Sequence, residues 1–248
     1  MTKFLVGVAT LLLSTSSWAA MCNVDLANEV QITGQSVAIV NSNGQTAMIS
    51  ANDNLSIEGK NVPLNNEQKK GLDSYREHVS QYAPAIKQFI GKNLTFADNI
   101  VDEVSKNLGA PNAFDSFKKS MRTFAGDIQS QYYKGDSLIL PANTFESAKA
   151  QLPTYYAKAK SLFDTEFVNQ AFNVMSTKMN QNGGINLTEF SNKISTLKKQ
   201  VEVQLNTHSA QLKQQGKKMC QSLNELKREE QSLHKEVPEL EGYSIFKK

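Results

Sequence analysis

Cysteine, tryptophan and histidine are scarce in these 248 residues, with two, one and three copies. Two cysteines in so long a chain exclude a disulfide-dense scaffold. Thirteen glycines and six prolines exclude collagen-like and low-complexity classes. Charge of one sign is lacking as well: 27 Lys and Arg against 24 Asp and Glu leave a formal charge of +3, with no basic footprint for nucleic acid. A mean hydropathy of -0.42 excludes a multi-spanning membrane protein. There is no Gly-x-Ser-x-Gly elbow, Walker loop, dinucleotide fingerprint or His-x-x-x-His pair. Catalysis, if present, would have to be assembled from distant positions.

What is there begins with an export signal. Lys3 gives a positive start, Phe4 to Leu13 a short apolar stretch, and Ser14 to Ala20 small residues. Ser17 and Ala19 satisfy the small-x-small rule, which sets cleavage after Ala19. About ten apolar residues are too few to cross a ~30 Å hydrocarbon core, so the segment reads as a cleaved leader. Nothing later is long and apolar enough to span. Lipidation at Cys22 is disfavoured by Met21 directly before it and Ala19 three before it.

Export places Cys22 and Cys220 in an oxidising compartment, where an even pair is most simply a disulfide. Such a bond would close a loop of nearly the whole mature chain, worth on the order of 5 kcal/mol on the chain-entropy account. A redox or metal role is the alternative, but no Cys-x-x-Cys motif or neighbouring histidine supports it.

From Cys22 to Leu64 the apolar residues alternate: Val30 and Ile32, Val37 and Ile39, Ala47 and Ile49, Leu55 and Ile57. Turn signals separate them, Asn43-Gly44 being the strongest. This pattern predicts a meander of about four antiparallel strands. At Asn65 the period changes. Asn65 with Gln68 forms a capping-box pattern, and Leu72, Tyr75, Val79, Tyr82, Ile86 and Ile90 follow at helical spacing. Pro84 should kink or split this helix. Further helices are expected over about 96–108, over 114–132 and from Asn143 through a bend at Pro153. A last helix follows Asn186, carrying Phe190, Ile194, Leu197, Val201, Leu205, Leu212, Leu223 and Leu226. Unbroken to Glu236 it would span ~75 Å, so the molecule is elongated or the helix breaks near Gly216. Leu138 to Leu140 reads as a brief extended piece. The fold class is therefore α+β: a signal peptide (1–19), a small N-terminal antiparallel β-meander (20–64), a mostly helical, elongated bundle (65–236) and a short polar C-terminal tail (237–248).

Among local motifs, Lys178 to Glu189 looks like a degraded EF-hand loop. Lys178 stands where the first ligand should be, so a helix–helix turn is the simpler reading. The pairs Asp102-Glu103 and Glu229-Glu230 read as solvated faces. Lys198-Lys199, Lys217-Lys218 and Lys227-Arg228 suit at most a weak anion contact. The three histidines and the pairs Tyr132-Tyr133 and Tyr155-Tyr156 read as surface or packing residues.

The leader, Cys22-Asn23, the strands about Asn43-Gly44, Gly59 to Leu64, Gln68, Tyr75 and Lys217-Lys218-Met219-Cys220 together resemble the YggN-like family of bacterial envelope proteins. The resemblance implies a Gram-negative periplasmic setting, assigns no activity and carries over no catalytic residues. The paired cysteines match its pattern. The expectation is a periplasmic, non-enzymatic binding or scaffold protein of the envelope, one version being a chaperone-like holdase for an unfolded client. It requires no cofactor and assigns no metal or catalytic residue. The alternatives are a hydrolase acting on cell-wall or lipid material with carboxylates from distant helices, and a lipid-binding module lined by the Phe-rich helices. A homo-oligomer through the last helix remains open.

Overall fold

The computed structural model describes residues 24–52, 54–180 and 187–247, leaving aside the side chains at 178, 179, 187, 189–191, 193, 194, 197 and 198. The leader, Cys22 and residues 181–186 of the EF-hand-like stretch lie outside the described residues. The chain divides into two compact units. A sheet unit takes the described residues up to 89 together with 128–150 and 216–247. A helical unit takes 90–127 and the described part of 151–215.

In the sheet unit the alternating segment forms β1 (Glu29–Thr33), β2 (Ser36–Val40), β3 (Thr46–Ile49), β4 (Leu55–Ile57) and β5 (Lys60–Asn61). Register pairs Val30 with Ile39, Ile32 with Val37, and Ile39 with Ala47, so the apolar residues share one face. Six of them (Val30, Ile32, Val37, Ile39, Ala47 and Ile49) are at most 2% exposed. At the β2–β3 turn the Asn41 carboxamide oxygen accepts the amides of Asn43 and Gln45, both at 3.0 Å. Gly44 supplies the left-handed conformation there at φ 78°.

Two further strands, β6 (Tyr133–Lys134) and β7 (Ser137–Leu140), complete a sheet of order β5-β4-β3-β2-β1-β7-β6. The brief extended piece at 138–140 is thus a full partner of β1, pairing Leu138 with Ile32 and Leu140 with Val30. It joins the sheet because its own period-2 residue, Leu138, is fully buried on the same face.

The capping box at Asn65 starts α1 (Asn66–Ser80): its side chain accepts the amides of Glu67 and Gln68, and Gln68 Oε1 accepts the Asn65 amide at 2.9 Å. The split expected at Pro84 falls three residues earlier. α1 stops at Ser80, and Pro84 sits in the first turn of α2 (Tyr82–Asn107), where a missing N–H is no loss. The separate helix expected from 96 is the continuation of α2.

The remaining helices are α3 (Asp115–Ser130), α4 (Thr144–Leu162), α5 (Val168–Asn180) and α6 (Leu187–Glu236). Pro153 lies inside α4 on an exposed position. A π-helical turn over Phe163–Phe167 links α4 to α5 and points both rings inward, stacked at 4.8 Å. In the helical unit these rings meet Phe114 and Phe117, and the core is completed by Ile100, Val101, Val104, Leu108, Met121 and Val201. α6 runs 50 residues through Gly216 without a break.

One sequence expectation is overturned. The last residues are no polar tail: before, within and after a 3₁₀ turn (Pro238–Leu240), Val237, Leu240, Tyr243, Ile245 and Phe246 enter the sheet unit's core at 6% exposure or less. They are bracketed by Pro238, Glu239, Glu241 and lysines, which gives the segment its polar look while the apolar side chains face inward. Among the described residues no helix is long and apolar enough to cross a membrane.

If β7 belongs to the sheet core, Leu138→Ala should cost about 2–5 kcal/mol, the usual penalty for a large-to-small change at a buried site. Urea unfolding read on the sheet unit would measure it.

Candidate functional site

The densest group of polar side chains in the sheet unit lies where α1 faces the C-terminal half of α6. On α6 Leu223, Leu226 and Leu233, and just past its end Val237, recur at heptad spacing and are all buried. That spacing places Glu230 on the same stripe, and it is only 3% exposed. The expectation of a solvated Glu229-Glu230 face is therefore wrong for its second member. Extending the stripe beyond Leu226 would have found it.

A carboxylate in such a position is costly unless donors surround it. Glu230 has three. The Tyr75 hydroxyl of α1 donates at 2.7 Å, the Ile245 amide donates to Oε1, and the Phe246 amide donates to Oε2 at 3.2 Å. Burial pushes its carboxyl above the ordinary range, partly offset by these donors and by Lys227. The Tyr75 phenol is raised well above its usual value, by burial first and then by the Glu230 charge.

One residue earlier, Glu229 accepts the Ser74 hydroxyl at 2.7 Å on one oxygen and meets His78 Nδ1 at 2.7 Å with the other. Ser74 and His78 are four apart on α1, hence on one face. The set has the composition of a hydrolytic triad but not its order. In a triad the imidazole stands between hydroxyl and carboxylate; here the carboxylate stands between the other two. The arrangement braces α1 against α6. A second brace comes from Arg76, 3% exposed, which pairs with Asp73 and donates to the Gln35 carbonyl at 3.2 Å in the β1–β2 turn. At Gly71 a β-carbon would lie 3.3 Å from Glu236 Oε2 and 3.6 Å from Leu233 Cδ1, so α1 and α6 approach closely there.

The other sequence-selected residues are dispersed. Cys220 is buried on α6, one turn from Leu223, in the unit whose core also holds Val24 and Leu26; no described cysteine is a free thiol. Asp102 binds Lys118 at 2.6 Å whereas Glu103 accepts Gln204 at 2.8 Å, so the pair is divided between two partners. His208 stacks on Phe96 with centroids 3.8 Å apart and meets Asn93 Oδ1 at 2.9 Å. Burial lowers its pKa, as it does that of His234. Tyr133 is core, its hydroxyl donating to the Ala83 carbonyl at 2.7 Å. Lys217, Lys218 and Arg228 are exposed. Among the described residues no cluster of three or more His, Cys, Asp or Glu could hold a metal ion. Among the described residues of the helical unit, two large apolar side chains stand in solvent: Phe172 on α5, 66% exposed, and Val203 on α6, 65% exposed.

The fold is thus an α+β protein in which a buried carboxylate, Glu230, ties α1, α6 and the C-terminal segment together, and Arg76 ties α1 to the β1–β2 turn of the antiparallel sheet. The chain belongs to the family described as Protein of unknown function (DUF2884), whose model matches residues 22–246, consistent with the YggN-like resemblance. No curated protein and no solved structure matches it.

The brace has a direct test. Glu230→Ala should destabilise the protein by roughly 3 kcal/mol or more, because a buried hydroxyl and two amides lose their acceptor; Glu230→Gln, which keeps one acceptor oxygen, should cost less. Because the folded carboxyl binds its proton more tightly than the unfolded one, its contribution is greatest in acid. That contribution should decline as pH rises from about 4.3, the unfolded value, through the raised folded value. The stability difference between wild type and Glu230→Gln, measured by urea titration across that range, should follow this sign.

Proposed function

We propose that the chain is exported to the periplasm, cut after Ala19, closed by a Cys22–Cys220 disulfide, and acts there as a non-enzymatic binding protein of the cell envelope. The leader and the cysteine count support the compartment. The tether is supported by the packing of the sheet unit, in which Val24 and Leu26 share a core with Leu223 and Leu226 on either side of the sequence gap.

The observation that carries the binding role is the exposure of Phe172 and Val203 on helices of the helical unit. Apolar side chains offered on a helical surface are what an apolar segment of a client can dock against. The polar groups at the α1–α6 face favour the same reading, since Ser74, His78, Glu229 and Glu230 are engaged in bonds within the chain. The chaperone-like version is the most concrete: a holdase that keeps an unfolded envelope client from aggregating.

Two measurements test this. Intact mass of protein taken from the envelope should begin at Ala20 and rise by two hydrogens on reduction; a retained leader or two freely alkylatable thiols would remove the compartment and tether. Light scattering of an unfolded outer-membrane client should be suppressed by an equimolar amount of the protein, and several-fold less by the Phe172→Ser, Val203→Ser double variant. No suppression by the wild type would remove the holdase.

A further inference from the structure

The final residues do more than fill space. They join the two ends of the described chain. Phe246 forms a bridge with Leu26, the Ala27 amide donates to the Ile245 carbonyl at 2.8 Å, and the Lys247 amide donates to the Asp25 carbonyl at 2.9 Å. The Asn28 carboxamide donates to the Ser244 carbonyl at 2.8 Å, across 216 residues of sequence. Lys247 Nζ lies 3.4 Å from Asp25 Oδ2. Two of the three donors that satisfy Glu230 are backbone amides of this same segment. Without it Glu230 would be a buried anion served by Tyr75 alone, and five apolar side chains would be missing from the core that Val30 and Ile32 line.

We infer that the segment from Val237 to Lys247 is a strap whose docking is the closing step of the sheet unit's folding, so that β1 and β2 stay unlocked until it docks. Three physical terms combine. The strap's contact with Asn28 closes a loop of 216 residues, so loop-closure entropy is lost before that contact forms. The Glu230 carboxylate opposes burial of α6 until the amides of Ile245 and Phe246 reach it. The strap also contributes both its backbone and its apolar side chains at once, so it docks as a unit.

Refolding the full chain from urea with pulsed hydrogen-exchange labelling tests the order. The amides of β1 and β2 should gain protection in the same kinetic phase as those of Ile245 and Phe246. Protection of β1 and β2 in an earlier phase would overturn the inference. In native-state exchange, Phe246→Ala should lower the protection of the strap and of β1 and β2 by the same factor, at least tenfold. Loss confined to the strap amides would equally overturn it. If Phe246→Ala fails to fold, the wild-type labelling decides alone.

Discussion

A single buried carboxylate organises the sheet unit. Glu230 interrupts an otherwise apolar stripe on α6, and its charge is tolerable only because a hydroxyl from α1 and two amides from the C-terminal segment converge on it. Three pieces of chain, two of them 155 residues apart, are thereby fixed in one geometry. A leucine at 230 could fill similar volume but would demand no particular partner. The carboxylate tolerates few alternatives, since any arrangement that leaves it unserved is penalised. That is a mechanism for a unique fold rather than for maximal stability.

The same logic extends through the neighbouring contacts. Glu229 collects Ser74 and His78, Arg76 collects Asp73 and the β1–β2 turn, and the capping box at Asn65 fixes where α1 begins. Together they orient α1 over the sheet with Leu72, Tyr75 and Val79 facing inward. The helical unit is held differently. Its core is aromatic, with Phe114, Phe117, Phe163 and Phe167 in mutual ring contact, and the π-helical turn brings the last two to the same side. π-helical turns carry a known cost in backbone geometry and occur often at functional positions; here the gain is a stacked pair inside the core.

For function, the family membership gives a kinship without an activity, and the polar side chains Ser74, His78, Glu229 and Glu230 are engaged in bonds within the chain. The proposed binding role rests on what the helical surface offers to solvent. Phe172 stands exposed on a helix where the other described aromatic residues are buried or half-buried, which makes it the feature most easily turned toward a partner.

Much of this was legible from the residues alone. The period-2 run from Val30 to Ile57 and its turn glycines set the first strands, because alternation has one physical meaning on a half-buried sheet. Asn65 with Gln68, and Pro84, marked the helix boundaries to within a few residues, because caps and missing N–H groups act locally. The stripe on α6 announced a long helix, though whether Gly216 broke it depended on packing that adds to or overrides a weak local preference. Tertiary structure alone decided three things: that residues 133–140 join the sheet beside β1, that the polar-looking C-terminus is core, and which distant groups serve Glu230 and Glu229. Each of these depends on contacts between segments far apart in sequence. A local pattern records which face of an element is apolar, but not which distant element will cover it.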